Sequence, residues 1–316
     1  VPSKTPQVLC YRPFDSMGFT CFDSKTQKTE YFSDVAQIPD MPVGFSTYCA
    51  ETGDIIHCYE SPDNNNPDRM KEPKQFVRQI TNTRTGHFQN LPSFELSASE
   101  GWFLSPNKSC VYYLAVPTVW TYDLESSHLS GFDLPFAIRS PMAGCCMRNP
   151  TEGDSLYILA RAKTNQSAPG LGLGLGTVGL KIGRYDLTTH IEFDEDEEDP
   201  NTDANWQVMD AVGAVLNRIQ RYHLIPLGYP NILILGAQQQ NFKGDWQGFQ
   251  PSSYIFDVQT GQAQTTVNKF NASGILVQYY CQIDYVSNDT HVVIASDHDV
   301  IYRIDKRTFA AEKIRQ

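Results

Sequence analysis

One short pattern recurs along the whole chain and restricts what it can fold into: a strand-like run, then Asp or Asn, two residues, then Thr or Ser. It reads Phe22-Asp23-Ser-Lys-Thr26, Tyr122-Asp123-Leu-Glu-Ser126, Tyr185-Asp186-Leu-Thr-Thr189, Phe256-Asp257-Val-Gln-Thr260 and Ile304-Asp305-Lys-Arg-Thr308. A sixth copy uses Asn82, in Thr81-Asn82-Thr-Arg-Thr85. The intervals between these Asp and Asn positions are 59, 41, 63, 71 and 48 residues. A short Asp or Asn side chain accepts hydrogen bonds from the backbone two and three residues on, which closes a tight turn between antiparallel strands. A repeat of this length signals stacked supersecondary units.

The rest of the chain fits strands between such turns. Runs rich in Val, Ile, Tyr, Phe and Thr recur, among them Val8 to Tyr11, Ile55 to Tyr59, Cys110 to Leu114, Leu156 to Leu159 and His291 to Ile294. Helical periodicity is scarce; its best stretch, Val208 to Arg221, contains Gly213. Six units of four short strands predict an all-β chain, a six-bladed β-propeller forming one domain over residues 1–316. The units fall near 1–40, 41–95, 96–138, 139–200, 201–270 and 271–316. In the fourth unit the outermost strand is expected near 190–193. The first unit has room for Val8 to Arg12 and Phe19 to Phe22 before Asp23, so its innermost strand has no evident donor. A blade of three strands, completion by residues outside 1–316, and strand addition by a partner all satisfy this count.

Trp120-Thr-Tyr-Asp123 and Tyr254-Ile-Phe-Asp257, with Leu91-Pro92 and Leu134-Pro135 closing the strand that follows two of the turns, resemble the kelch family of propellers. The resemblance implies a β-propeller. Kelch blades carry paired glycines after the second strand, whereas Leu159 is followed here by Ala-Arg-Ala and Leu114 by Ala-Val-Pro.

Strand alternation sorts the connections onto two faces. Ser61 to Lys74, Lys163 to Gly179 and Gln239 to Ser252 join second to third strands, and Asp194 to Asn205 is expected to lead from a fourth strand to the next blade. All four then emerge on one face, opposite tight turns such as Glu51-Thr-Gly-Asp54. Binding residues concentrate on loops held by a rigid scaffold, which makes Asp68, Arg69, Trp206, Tyr229 and Trp246 candidate binding residues. A protein-interaction or assembly module is the leading reading. The aromatic residues among these candidates also suit a carbohydrate-binding propeller, because aromatic rings stack on sugars. A metal-dependent propeller hydrolase or lactonase is a third class.

The net charge of −11 with no Lys/Arg-dense stripe excludes nucleic acid and anionic membrane as default partners, and no apolar run is long enough to span a bilayer. No cofactor is expected. The acidic run carrying Asp194, Asp196 and Asp199 offers oxygen ligands for calcium but lacks the EF-hand spacing. Asp297-His298-Asp299 reads as a turn, and Gly174-Leu-Gly-Thr-Val-Gly179 runs on into a strand rather than the helix a dinucleotide site requires. No Gly-x-Ser-x-Gly or His-Glu-x-x-His motif is present, and no catalytic residue is assigned. Of the eight cysteines, Cys10 with Cys21 and Cys49 with Cys58 fall on adjacent strands and are placed to pair. Sequons at Asn107, Asn165, Asn271 and Asn288 are glycosylation sites if the chain is secreted; cytoplasmic and secreted compartments both fit.

Overall fold

Antiparallel pairing between chain neighbours organises the protein into six sheets, as seen in a computed structural model. The structure describes residues 8–11, 19–32, 44–49, 54–60, 74–82, 85, 87–96, 101–105, 110–123, 126, 128–138, 141–161, 179–188, 205–215, 222–236, 254–265, 285–295 and 301–315. The first sheet has three strands, β1 (Val8–Tyr11), β2 (Phe19–Asp23) and β3 (Thr29–Phe32). The second contains β4 (Gly44–Cys49), β5 (Asp54–Glu60), β6 (Lys74–Asn82) and β7 (Phe88–Leu96). The third contains β8 (Gly101–Leu104), β9 (Cys110–Ala115), β10 (Thr118–Asp123) and β11 (Leu129–Asp133). The fourth contains β12 (Pro141–Asn149), β13 (Gly153–Arg161), β14 (Gly179–Asp186) and β15 (Trp206–Val215). The fifth has β16 (Tyr222–Gly228), β17 (Asn231–Gly236), β18 (Tyr254–Asp257) and β19 (Gln262–Thr265). The sixth has β20 (Tyr285–Ser287), β21 (His291–Ala295), β22 (Ile301–Asp305) and β23 (Ala311–Arg315).

This is an all-β, six-bladed propeller, with the first strands of blades 3, 4 and 5 lying side by side as β8, β12 and β16. The fourth and fifth blades touch at their outer rim, where a single parallel bridge joins Val212 of β15 to Gln262 of β19.

Two expectations fail in the fourth blade. Its fourth strand is β15, paired to β14, while the segment near 190–193 lies outside the described residues; the stretch from Val208 that has the best helical periodicity is a strand as far as Val215. Gln207, Val208 and Asp210 are exposed there while Trp206 and Ala211 are buried. An outermost strand shows water on much of its surface, which blurs the alternation that would identify it. Because β14 leads directly into β15, the acidic segment 194–199 joins third to fourth strands and therefore emerges on the face opposite to the one expected.

The recurrent turns explain why the blades form where they do. Asp23 Oδ1 accepts hydrogen bonds from the Lys25 and Thr26 amides at 2.8 and 3.2 Å, and Asn82 Oδ1 from the Thr85 amide at 3.0 Å. Asp123 serves Ser126 at 2.6 Å, Asp257 serves Gln259 and Thr260 at 2.8 and 2.9 Å, and Asp305 serves Arg307 and Thr308 at 2.9 and 2.7 Å. Asp186 Oδ1 accepts from the Thr188 amide, two residues on, at 2.9 Å. There the chain does not turn straight into the fourth strand. Four residues after the turn Asp, three copies place a left-handed residue, Gln27 (φ 57°), Gly261 (φ 71°) and Phe309 (φ 56°).

The residue before the turn Asp builds the core between blades. Phe22, Tyr122, Tyr185, Phe256 and Ile304 are all at most 2% exposed. Tyr185 of the fourth blade packs with Phe132 of the third, Phe256 of the fifth with Tyr157 and Leu159 of the fourth, and Ile304 of the sixth with Leu233 and Leu235 of the fifth. Each such side chain contributes about 1.5–3 kcal/mol through burial. Phe22 completes the circuit, packing in one cluster with Val286, Val293 and Ile301 of the sixth blade, while β1 lies beside β4 and β20. The turn containing Asp23 follows β2, so β1 and β2 hold the places that second and third strands hold elsewhere. The ring closes by side-chain packing across this seam, and among the described residues no strand stands inside β1.

Candidate binding faces of the propeller

Alternating strand directions place the first-to-second and third-to-fourth connections on one face and the others on the opposite face. The first of these, the turn face, is tied down by its own side chains. Asn149 is 2% exposed; its Oδ1 accepts from the Thr151 amide and hydroxyl at 3.1 and 3.0 Å, and its Nδ2 donates to Glu152 at 2.7 Å. Asn288 does the same in the sixth blade, accepting from the Thr290 amide at 2.9 Å and the His291 amide at 2.8 Å. The residue after the repeat Asp then docks on this first turn: Leu187 donates to Asp154 O at 3.1 Å, Val258 to Pro230 O at 2.9 Å and Lys306 to Thr290 O at 2.9 Å. These two first-to-second turns carry an Asx cap of their own, and Asn149 and Asn288 lie outside the recurrent Asp-x-x-Thr pattern.

Two polar groupings on the turn face have chemical character. Arg184 forms an ion pair with Glu152, donates through Nε to the buried Ser155 hydroxyl at 3.3 Å and through a terminal nitrogen to Gln207 at 3.4 Å. Tyr157 lies next to it in register and is fully buried, which pushes its phenol up to about 12. The second grouping sets Thr290 Oγ1 at 2.7 Å from His291 Nδ1, with His291 Nε2 at 3.8 Å from Asp305 Oδ2. That is a hydroxyl, imidazole and carboxylate in line. However, Thr290 Oγ1 also contacts Asn288 Oδ1 at 3.2 Å and Asp305 holds its own turn, so the three groups join the two turns of the sixth blade. Hydrogen bonds from the Thr308 amide and hydroxyl hold the Asp305 carboxyl below its ordinary value.

The opposite face takes the long connections. Residues 61–73 leave after Glu60 and return at Lys74, 162–178 leave after Arg161 and return at Gly179, and 237–253 leave after Gly236 and return at Tyr254. All three join second to third strands. Segment 266–284, which leads from the fifth blade to the sixth, emerges on this face too. Of the four long segments expected together, three share this face and the acidic one does not.

The candidate residues separate accordingly. Asp68, Arg69 and Trp246 lie within the long connections, outside the described residues. Trp206 is 6% exposed and sits in the core, tilted against Tyr185 with ring centroids 4.9 Å apart, so its ring is not open to a sugar. Tyr229 follows β16 on the turn face and is half-buried against the core between blades 4 and 5. Asp194, Asp196, Asp199, Asp297, His298, Asp299, Asn107, Asn165 and Asn271 also lie outside the described residues, whereas Asn288 is the turn cap described above. Among the described residues, no three His, Cys, Asp or Glu side chains gather closely enough to hold a metal ion, and no helix is long and apolar enough to cross a membrane.

No protein-family model matches the chain, and no curated protein matches its sequence. Among solved structures, the chain is similar to one in the crystal structure of a nidogen/laminin complex, with a TM-score of 0.49 and 9% identity over 97% of this chain and 91% of that one. It is similar also to a chain in a S. cerevisiae assembly of Dbp5 bound to Nup159, Gle1, IP6 and ADP, with a TM-score of 0.48 and 9% identity over 98% of this chain and 73% of that one.

Proposed function

We propose that this propeller is a non-catalytic protein-interaction or assembly module that binds its partner through the face carrying the second-to-third-strand connections. The observation that supports the reading is the asymmetry of the two faces. One carries short turns, capped by side chains at Asn149 and Asn288, apart from the acidic excursion of the fourth blade; the other bears 61–73, 162–178 and 237–253, from blades 2, 4 and 5. Loops free to vary on a rigid frame are where recognition is built. Asp68, Arg69 and Trp246 belong to these connections and supply charge and an aromatic anchor, the residue types that carry interface energy. The reading treats residues 1–316 as one domain and is compatible with a kelch-like affiliation without depending on it.

The test is affinity capture with the intact chain and with variants in which 61–73 and 237–253 are each replaced by a short Gly/Ser linker. The expected result is loss of the same partner from the variants, with thermal unfolding within a few degrees of the parent. Capture of every partner by the doubly replaced chain would sink the proposal.

A further inference from the structure

We infer that Cys10 and Cys21 form a dithiol–disulfide pair across the first blade, a modification site whose oxidant is a small-molecule disulfide such as oxidised glutathione. The two residues are direct partners in the antiparallel pairing of β1 with β2. Directly opposed residues share one face of a sheet, with Cα atoms about 4.5 to 5.5 Å apart, inside the range of roughly 4.4 to 6.8 Å that a disulfide spans. Among the described residues no other two cysteines are in register. Cys49 stands opposite Asp54 and Cys58 opposite Phe45, so the second pair expected from sequence is four positions out of line, about 13 Å along the strand. Cys145 and Cys146 are successive residues of β12 and face opposite sides of it; both are buried free thiols, and burial pushes both upward.

The chemistry is thiol–disulfide exchange. One cysteine, as thiolate, attacks a sulfur of glutathione disulfide; the glutathione S–S bond breaks, one glutathione leaves and a mixed disulfide remains. The second thiolate attacks the protein sulfur of that mixed disulfide and expels the other glutathione. Two protein thiols become one disulfide, and the two electrons and two protons reside on two glutathione molecules. The consequence lies at the seam: the crosslink would fix β1 to the strand carrying Phe22, in the blade with three strands among the described residues.

The experiment equilibrates the purified chain in glutathione buffers of increasing oxidation, blocks free thiols by alkylation under denaturing conditions and cleaves without reduction. Chymotrypsin suits this, because Tyr11 and Phe19 lie between the two cysteines and separate them into different peptides. The expected result is a crosslinked Cys10–Cys21 peptide that disappears on reduction, while Cys49 and Cys58 stay alkylated. The oxidised chain should melt roughly 5 °C above the reduced one, a difference that Cys21→Ser abolishes and Cys49→Ser retains. Recovery of Cys10 and Cys21 alkylated from the most oxidising buffer, or of Cys10 joined to a different cysteine, would overturn the inference, and this readout on the unaltered chain does not depend on any variant folding.

Discussion

The indole Nε1 of Trp206, in the outermost strand of the fourth blade, donates a hydrogen bond to the backbone carbonyl of Asp133 at the end of the third blade, 3.2 Å away. The bond fixes the plane of a ring that also meets Tyr185, which in turn stacks on Phe132 with centroids 4.3 Å apart and planes 12° apart. Two adjacent blades are therefore joined by an aromatic stack and one directional bond. Trp206→Phe is expected to cost about 1 kcal/mol through the lost hydrogen bond, and Trp206→Ala about 3–5 kcal/mol through the cavity. Urea unfolding of both variants checks this; a neutral Trp206→Ala would show that the indole does not hold the blades together.

A methyl group at Gly144, in the innermost strand of the fourth blade, would lie 2.1 Å from the ring of Phe103 in the innermost strand of the third. Gly144→Ala is thus expected to destabilise by about 2 kcal/mol through overpacking. Phe103→Leu, which withdraws the ring edge, should recover part of that loss when combined with it. A double-mutant cycle measures the coupling, and strict additivity would argue against the contact.

Gln27 and Gly261 hold equivalent left-handed positions, four residues after Asp23 and Asp257. A side chain at positive φ is strained, and glycine is not. The two substitutions should therefore act in opposite directions: Gln27→Gly stabilises by about 0.5 kcal/mol after its entropic cost, and Gly261→Ala destabilises by about 1 kcal/mol. Thermal unfolding of the pair reads the sign directly.

Asp23 and Asp305 are held below the ordinary carboxyl value. At Asp23 partial burial acts upward but is outweighed by hydrogen bonds from Lys25 and Thr26; at Asp305 the Thr308 amide and hydroxyl, and then the Arg307 amide, favour the ionised form. A carboxyl with a depressed folded value contributes stability that is present above its unfolded value and lost as the pH falls through the folded one. Stability should therefore decline as pH drops below about 4, and Asp23→Asn with Asp305→Asn should flatten that decline while keeping an acceptor in each turn. Unfolding free energies between pH 6 and 2 are the measurement.

Legibility in the sequence followed turn chemistry. Blades 2 and 3 could be placed to within a few residues because their strand-like runs are bounded by turns such as Asn82 to Thr85 and Asp123 to Ser126, whose donors and acceptors are sequence neighbours. The fourth blade escaped at its last strand, since the Asp186 turn runs into 187–205 rather than straight into a partner. Its strand β15 exposes Gln207, Val208 and Asp210 around the buried Trp206, leaving an alternation too broken to distinguish from a helix. That one strand also reversed the face assigned to the acidic segment. Trp206 looked like a surface aromatic for the same reason, and composition alone holds nothing that tells an exposed indole from one hydrogen-bonded in a core. The Arg184 and Asn149 contacts depend on residues brought together by register, which no local spacing announces.

The seam between Phe22 and Val286, Val293 and Ile301 acquires a meaning when the chain is considered in time. All strand pairing inside a blade joins chain neighbours, so each blade has its hydrogen-bond partners as soon as its own strands have been made. Phe22 does not have its partners, because Ile301 is synthesised last among them and, at about 5–20 residues per second, leaves the ribosome roughly 15–55 s later. For that interval the growing protein is a spiral with one apolar edge waiting, and it becomes a ring only when the sixth blade arrives. Of the six blades, the one made first is the last to be finished.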